Sequence, residues 1–258
     1  MPDGVWTLDV GGLQRLSGHV WDFYPLDELK TVDPNSPPKL RALGPAKLLI
    51  VAQRWLAVFD PATRRSTKVL DAARTGPGTF DDAATGPNGT ILATSGNAIT
   101  GCTDGGSPAS FRCVEYGYRQ LGLKLFHDPQ VDGGGFLVAG ASPATGDERL
   151  LGFDGKAWRT VWQGGQAKLR GWPAGDGTLW LQKGNDLFRL RSNRLEPVPR
   201  QGALSGTING VTPEKGGVLL VGTNQGLARY SPPIWQPLPM PSGVDSTAIS
   251  AITIFAIE

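Results

Sequence analysis

The chain has 258 residues, of which 36 are glycine and 21 are proline, while only 2 are histidine and 2 are cysteine. So much glycine and proline excludes long helices, and 40% hydrophobic residues exclude a disordered or collagen-like chain. The formal net charge of +2 provides no basic footprint for nucleic acid, so we expect no nucleic-acid partner.

No apolar run reaches the roughly 18 residues that a membrane span needs. The longest is at the C-terminal end, over residues 248–257. The first residues show neither the basic nor the apolar region of a signal peptide. We therefore expect no membrane span in this sequence, and either a cytoplasmic protein or one whose signal has been removed.

A glycine-containing turn followed by a short apolar run recurs six times along the chain. The equivalent anchor positions of the six units are Trp6, Leu49, Leu92, Leu137, Trp180 and Leu220. Successive anchors are 43, 43, 45, 43 and 40 residues apart, which matches the period of four-stranded propeller blades. The runs hold four to six apolar residues and show no helical stripe. The sequence thus predicts an all-β fold, a six-bladed β-propeller, as a single domain over residues 1–258.

The first, fifth and sixth units share a hairpin beyond the anchor. Nine residues after the anchor each of them has an arginine, namely Arg15, Arg189 or Arg229. We expect these arginines to pack their stems on a tryptophan or on a neighbouring blade, and Trp6 and Trp180 to pack between blades. In the sixth unit, Asn224 and Gly226 are predicted to supply the positive φ angles of a tight turn.

The middle units depart from this frame. The second unit has Trp55 and Leu56 where a Gly-Leu pair stands in the sixth. In the fourth unit Trp158 comes six residues later than the frame predicts, and the surplus falls over residues 141–148. We expect an insertion at a hairpin tip there, where added residues cost little stability.

Counting from Leu220 to the last residue and on from the first residue to Trp6 gives 44 residues, about one period. This arithmetic predicts that the C-terminal strand, residues 249–254, closes the N-terminal blade as its inner strand. Such pairing covers two sheet edges that would otherwise favour aggregation. The alternative is that the chain is a fragment of a longer array.

Cys102 and Cys113 flank a turn-rich segment of the third unit. A cross-strand disulfide would close this hairpin and would imply an oxidising compartment. Two reduced cysteines in a cytoplasmic protein are the alternative. We expect no metal site, because two cysteines and two distant histidines lack the paired spacing of zinc ligands.

No catalytic constellation is evident. His19 and His127 lie in no motif, and the neighbours His127 and Asp128 are expected to point to opposite faces of a strand. The glycine run at residues 132–135 is predicted to be a turn and not a phosphate loop, since no Lys-Ser/Thr follows it. The sequence therefore favours a protein that is not an enzyme and needs no cofactor.

Propellers usually bind ligands on the turns between the second and third strands, around the central channel. The side chains predicted there are amides and bases: Gln53, Arg54, Asn97, Lys183, Asn185, Asn224 and Gln225. Few carboxylates accompany them. This composition favours hydrogen-bonded recognition of a small ligand or a protein partner over acid–base catalysis or calcium binding.

The segment of residues 217–230, Gly-Val-Leu-Leu-Val-Gly-Thr-Asn-Gln-Gly-Leu-Ala-Arg-Tyr, resembles the two-component regulator propeller repeat. Residues 176–180 and residues 3–15 are similar to it. Propellers of that family are extracytoplasmic ligand-sensing modules of bacterial sensor kinases, usually with more than six blades. The resemblance implies a non-enzymatic binding module, sensor-like or scaffold, that is periplasmic or secreted, with a cytoplasmic location as the alternative.

Two other functions remain open on the same scaffold. One is a propeller enzyme that resembles lactonases or streptogramin lyases and acts at the central channel through a metal or a histidine. The other is a platform subunit of a larger assembly.

Overall fold

The structure is a computed structural model. It describes residues 5–9, 11–17, 20–33, 35–44, 46–75, 78–86, 89–103, 111–174, 176–192, 194–200 and 206–238. Within these ranges the chain forms 23 strands and one short α-helix, α1 (Tyr118–Leu121). The strands build six antiparallel sheets, one of three strands and five of four. The fold is thus all-β, a six-bladed β-propeller, as predicted.

The chain divides into two compact units, of which the first comprises Met1–Gly146 and Leu151–Val161. Blade 1 contains β1 (Val5–Asp9), β2 (Gly12–Ser17) and β3 (Val20–Pro25). Blade 2 contains β4 (Lys39–Leu43), β5 (Lys47–Ala52), β6 (Trp55–Asp60) and β7 (Arg65–Asp71). Blade 3 contains β8 (Asp82–Thr85), β9 (Ile91–Thr94), β10 (Ala98–Thr103) and β11 (Arg112–Gly117). Blade 4 contains β12 (Lys124–Asp132), β13 (Gly135–Ala141), β14 (Glu148–Phe153) and β15 (Trp158–Gly165), with the ends of β14 and β15 assigned to different units.

The second unit comprises Asp147–Leu150 and Trp162–Glu258. Blade 5 contains β16 (Leu169–Pro173), β17 (Leu179–Lys183), β18 (Asp186–Arg191) and β19 (Arg194–Pro197). Blade 6 contains β20 (Ile208–Pro213), β21 (Leu219–Thr223), β22 (Gly226–Ser231) and β23 (Ile234–Leu238). In every sheet the strands pair in chain order. The single-domain organisation stays a prediction.

The six anchor positions mark the same strand of each blade. In blades 2 to 6 they lie on the second strand, and Trp6 lies on β1. Second strands are buried along nearly their whole length, as in β5 and β13, because both faces of the sheet are covered there. Strand β1 corresponds to a second strand by its register, since Trp6 is paired with Arg15 as Trp180 is with Arg189. The closing inner strand predicted at residues 249–254 lies outside the described residues.

Tryptophans pack between neighbouring blades, as expected. In the first unit Trp6, on blade 1, has its ring centroid 6.0 Å from that of Phe59, on blade 2. In the second unit Trp180 is fully buried and packs with Val211 and Tyr230 of the next blade. Large apolar side chains on facing sheets thus build the core from blade to blade.

The contact that each arginine nine residues after the anchor makes depends on the anchor residue with which it is paired in the ladder. The Arg15 guanidinium lies 5.7 Å from the Trp6 ring centroid, and that of Arg189 lies 5.9 Å from Trp180. Arg229 is paired with Leu220 in the ladder, so it has no ring beside it and donates to Glu214 at 3.2 Å instead. Two of the three arginines therefore place their guanidinium groups over a tryptophan ring, in line with the expected contact.

Polar side chains bind the inner strands β4 and β8 together in the first unit. Asp82, on β8, accepts from Arg41 Nη2 at 2.8 Å with both of its oxygens and from Lys39 Nζ at 3.1 Å. Arg41 Nε also donates to the Ala83 carbonyl at 3.2 Å, and the Thr85 hydroxyl donates to the Ala42 carbonyl. These contacts fix two consecutive blades to each other at their inner edges.

Cys102 and Cys113 stand directly opposite each other on β10 and β11 and form a disulfide, with 4.1 Å between their Cα atoms. The predicted cross-strand bridge is therefore confirmed. Cys102 is buried in the core, whereas Cys113 is exposed.

Three predicted turns can be compared with the structure. The insertion lies in the β13–β14 turn, and residues 133 and 134 form the β12–β13 turn, both as expected. The prediction for the sixth unit was wrong in one respect. Only Gly226 has a positive φ, of 134°, while Asn224 stays on the ordinary side and uses its side chain in a hydrogen bond.

Candidate functional site

The predicted site residues all lie at the turns between second and third strands. Gln53 and Arg54 form the β5–β6 turn and Asn97 lies in the β9–β10 turn, both in the first unit. In the second unit Lys183 and Asn185 lie at the β17–β18 turn, and Asn224 and Gln225 lie in the β21–β22 turn. The strand assignments behind the prediction are therefore correct, while a binding role for these residues stays a prediction.

Two of the predicted amides in the second unit hold the chain that leads into β20. Asn224 Oδ1 accepts from the Thr207 backbone N–H at 2.8 Å. Asn185 Nδ2 donates to the Gly206 carbonyl at 3.3 Å, and its Oδ1 accepts from the Ile208 N–H at 3.4 Å. Both side chains thus satisfy backbone groups, which is a structural use of an amide.

The other turn residues differ in how they are held. Asn97 is exposed, and its N–H donates to the Ser95 hydroxyl at 3.2 Å. Gln225 is exposed, and its N–H donates to the Thr223 hydroxyl at 3.1 Å. Lys183 is also exposed. In these three residues the structure leaves the side chain at the surface.

Gln53 and Arg54 border a cleft of about 660 Å³ within the first unit. One wall is the face of blade 2 that carries Trp55, Ala57 and the β7 residues opposite them. The other wall is formed by residues 28–33 of the connection that joins β3 to β4, which contains a turn of 3-10 helix, Asp27–Thr31. We call this space the blade 2 cleft. Its lining residues are Glu28, Lys30, Thr31, Val32, Asp33, Ala52, Gln53, Arg54, Trp55, Ala57, Lys68 and Asp71.

Backbone hydrogen bonds position the turn that borders the cleft. The Gln53 carbonyl accepts from the Phe80 N–H at 2.8 Å, and the Arg54 carbonyl accepts from the Ala72 N–H at 2.9 Å. Trp55, next in the chain, is only 8% exposed and belongs to the core shared with blade 1. The wall that carries Trp55 is therefore part of the packed core, and hydrogen bonds hold the turn beside it.

Ion pairs set the electrostatics of the cleft. Lys68 Nζ donates to Asp71 Oδ2 at 2.9 Å, and this bond, followed by the Ala73 N–H, lowers the pKa of the Asp71 carboxyl. Lys30 Nζ donates to Asp27 Oδ1 at 2.6 Å, and this bond lowers the pKa of Asp27 and raises that of Lys30. These groups are charged at neutral pH.

The repeat pattern did not reveal most of this cleft. The lining charges at residues 28, 30 and 33 lie in the connection of residues 26–38, which belongs to no repeated unit. Its length is the one available signal, since long connections in compact folds are often functional. The β7 charges are far from the turn in sequence and reach it only through strand pairing.

His127 and Asp128 correct an expectation from the sequence. Their side chains meet, with Nδ1 of the histidine 2.8 Å from Oδ2 of the aspartate. Strand β12 is irregular at this point: its register shifts on both sides of His127, and Asp128 has a φ of 49°. The alternation of faces that regular strands show is therefore lost, which allows the adjacent side chains to pair. His19 lies outside the described residues.

The described part of the chain lacks both a metal-binding cluster and a membrane-spanning helix. It contains no group of three or more His, Cys, Asp or Glu side chains placed to hold a metal ion. None of its helices combines the length and apolarity that crossing a membrane would require.

No protein-family model and no curated protein matches the chain. Solved structures do. The extracellular domain of BT4673, a B. thetaiotaomicron protein assigned as a hybrid two-component system, superposes with a TM-score of 0.65 at 13% identity, covering 92% of this chain and 32% of that one. The corresponding domain of BT3049 from the same organism superposes with a TM-score of 0.63 at 11% identity, covering 94% of this chain and 34% of that one. Streptogramin B lyase superposes with a TM-score of 0.64 at 14% identity, covering 93% of this chain and 80% of that one.

At these identities the likeness shows the fold. The chain spans about a third of the length of the two-component extracellular domains that it matches. Its structural neighbours thus include extracellular domains of two-component systems and also an enzyme.

Proposed function

We propose that this chain is a non-enzymatic, extracytoplasmic binding module of the sensor type, and that it takes a small polar ligand in the blade 2 cleft. One observation carries the proposal. Among the residues predicted from the sequence to bind, Gln53 and Arg54 border a cleft, whereas the side chains of Asn185 and Asn224 hold backbone groups by hydrogen bonds. Concave, partly apolar sites with a few polar groups are the usual place for small ligands.

The location and the ligand class have separate support. The Cys102–Cys113 disulfide and the extracellular domains among the structural neighbours support a periplasmic or secreted location. Charged and amide side chains around the cleft support a polar ligand that is recognised by hydrogen bonds. A protein partner on the same turns, or a platform role in a larger assembly, is the competing form of binding.

The test is a screen of small polar metabolites against the whole chain by ligand-observed NMR, followed by titration calorimetry. Hits are then measured on Arg54→Ala and on the matched control Arg65→Ala, an exposed β7 arginine that does not line the cleft. We expect binding to weaken at least tenfold in the first variant and to stay unchanged in the second. A hit that binds both variants equally would place the ligand elsewhere, and a screen without hits would contradict small-ligand binding.

An enzyme on this scaffold is a second candidate, and the His127–Asp128 pair favours it, because a histidine fixed by a carboxylate can accept a proton in catalysis. Streptogramin B lyase among the neighbours provides a probe. Incubating the chain with quinupristin, the compound present in a related lyase structure, and following it by chromatography separates the two functions. We expect no consumption; turnover that His127→Gln abolishes would replace the binding proposal.

A further inference from the structure

Six charged side chains line the blade 2 cleft, in equal numbers of each sign. The basic ones are Lys30, Arg54 and Lys68, and the acidic ones are Glu28, Asp33 and Asp71. Both lysines already have carboxylate partners, at 2.6 and 2.9 Å. Their charge is therefore largely compensated before any ligand enters.

Arg54 differs from the two lysines. Its side chain is exposed and forms no ion pair with any residue that the structure describes. Its backbone is fixed at the turn, because the Gln53 and Arg54 carbonyls both accept hydrogen bonds from the segment after β7. The guanidinium thus extends from a rigid base. Its planar fork matches a carboxylate or phosphate through two parallel hydrogen bonds.

The charge balance limits an anionic ligand to one negative charge. Asp71 is already paired with Lys68, which leaves Glu28 and Asp33 as the lining carboxylates without an ion pair among the described residues. A doubly charged phosphate would be repelled by them more strongly than a monoanion, while only Arg54 attracts it. Ala52, Trp55 and Ala57 lie together on the blade 2 face, where Trp55 is paired with Ala52 in the ladder. They are only 2–8% exposed, so they close the wall of the cleft and offer a ligand little apolar surface.

We infer that the ligand of the blade 2 cleft is a small monocarboxylate, whose carboxylate is bound by Arg54. This inference rests on the proposed function and names the chemical class of its ligand. Arg54 makes the specific contact, through the two parallel hydrogen bonds that its guanidinium can donate to a carboxylate.

The experiment uses matched pairs of small acids and their uncharged amides, with aromatic, branched aliphatic and sugar-derived bodies, and inorganic phosphate as a further probe. Affinities are measured by calorimetry on the whole chain, and the site is located by chemical-shift changes around the β5–β6 turn. The variants are Arg54→Gln and Arg54→Lys, with Arg65→Gln as the matched control. Unchanged thermal melting shows that each variant is folded.

We expect at least one acid to bind at least tenfold more tightly than its amide. Arg54→Gln should remove this preference, Arg54→Lys should keep part of it, and Arg65→Gln should keep all of it. Amides that bind the cleft as tightly as their acids would overturn the inference and leave the proposed function intact. So would phosphate that binds more tightly than every acid, or a preference that survives in Arg54→Gln. If no compound shifts the turn resonances, both proposals fail.

Discussion

Replacing Asp82 by asparagine tests the contact that fixes β4 to β8. The substitution keeps the shape of the side chain and removes its charge. Asp82 is 7% exposed and compensates Arg41 and Lys39 together, at 2.8 and 3.1 Å. After the change an amide faces two cations, and Arg41 loses both of its hydrogen bonds to a carboxylate oxygen.

The expected loss of stability depends on how deeply the three charged side chains are buried. Removing one member of a fully buried ion pair costs about 3–5 kcal/mol of unfolding free energy. Arg41 and Lys39 are 26% and 46% exposed, so water solvates both cations in part once the carboxylate is gone. We therefore expect a loss of about 2–3 kcal/mol, or a fall in Tm of about 5–10 °C for a chain of this size.

Urea unfolding and thermal melting, both followed by circular dichroism, measure this loss. Asp81→Asn is the matched control, because that neighbouring aspartate is exposed and should change stability by less than about 0.5 kcal/mol. Arg41→Met and the double variant complete a cycle, in which the double loss should fall at least about 1 kcal/mol short of the sum of the single losses. Additive losses, or an Asp82→Asn variant as stable as the control, would refute the reasoning.

Three further predictions concern other parts of the chain. A thiol assay under denaturing, non-reducing conditions should detect no free thiol, whereas two titrating thiols would exclude the bridge. Replacing Cys102 and Cys113 by serine should lower the free energy of unfolding by about 2–3 kcal/mol. The Thr178 backbone N–H, which donates to Asp176 Oδ1 at 2.9 Å, lowers the pKa of Asp176. The stabilisation that Asp176 contributes is thus complete above the pKa of the unfolded chain, about 3.9, and is lost as the pH falls through the lower pKa of the folded state. An NMR titration of Asp176 with a midpoint at or above about 3.9 would contradict this prediction. Deleting residues 248–258 should expose an unpaired edge of blade 1 and cause aggregation, and a variant of equal solubility and stability would exclude the predicted closure.

Much of the architecture could be predicted from the sequence because a blade is a local unit. The anchors at Trp6, Trp180 and Leu220 recur at one period, and turn residues between the apolar runs mark where the chain reverses. The disulfide could be predicted for the same reason, since Cys102 and Cys113 flank a single hairpin. Local spacing and alternation determine such features.

The candidate site could not be predicted in the same way, because it is formed by residues that are far apart in the sequence. Nothing in the sequence places Glu28 and Arg54 around one cleft, or shows that the Asn224 side chain binds the backbone at Thr207, because these arrangements form only after separate segments have packed. Likewise, His127 meets Asp128 only because the register of β12 shifts, which local alternation does not predict. The sequence by itself determined the repeat, its strands and its turns, since these follow from residue periodicity along the chain. Only the tertiary structure decided which polar side chains remain for a ligand, because that depends on which of them the packed backbone has already bound.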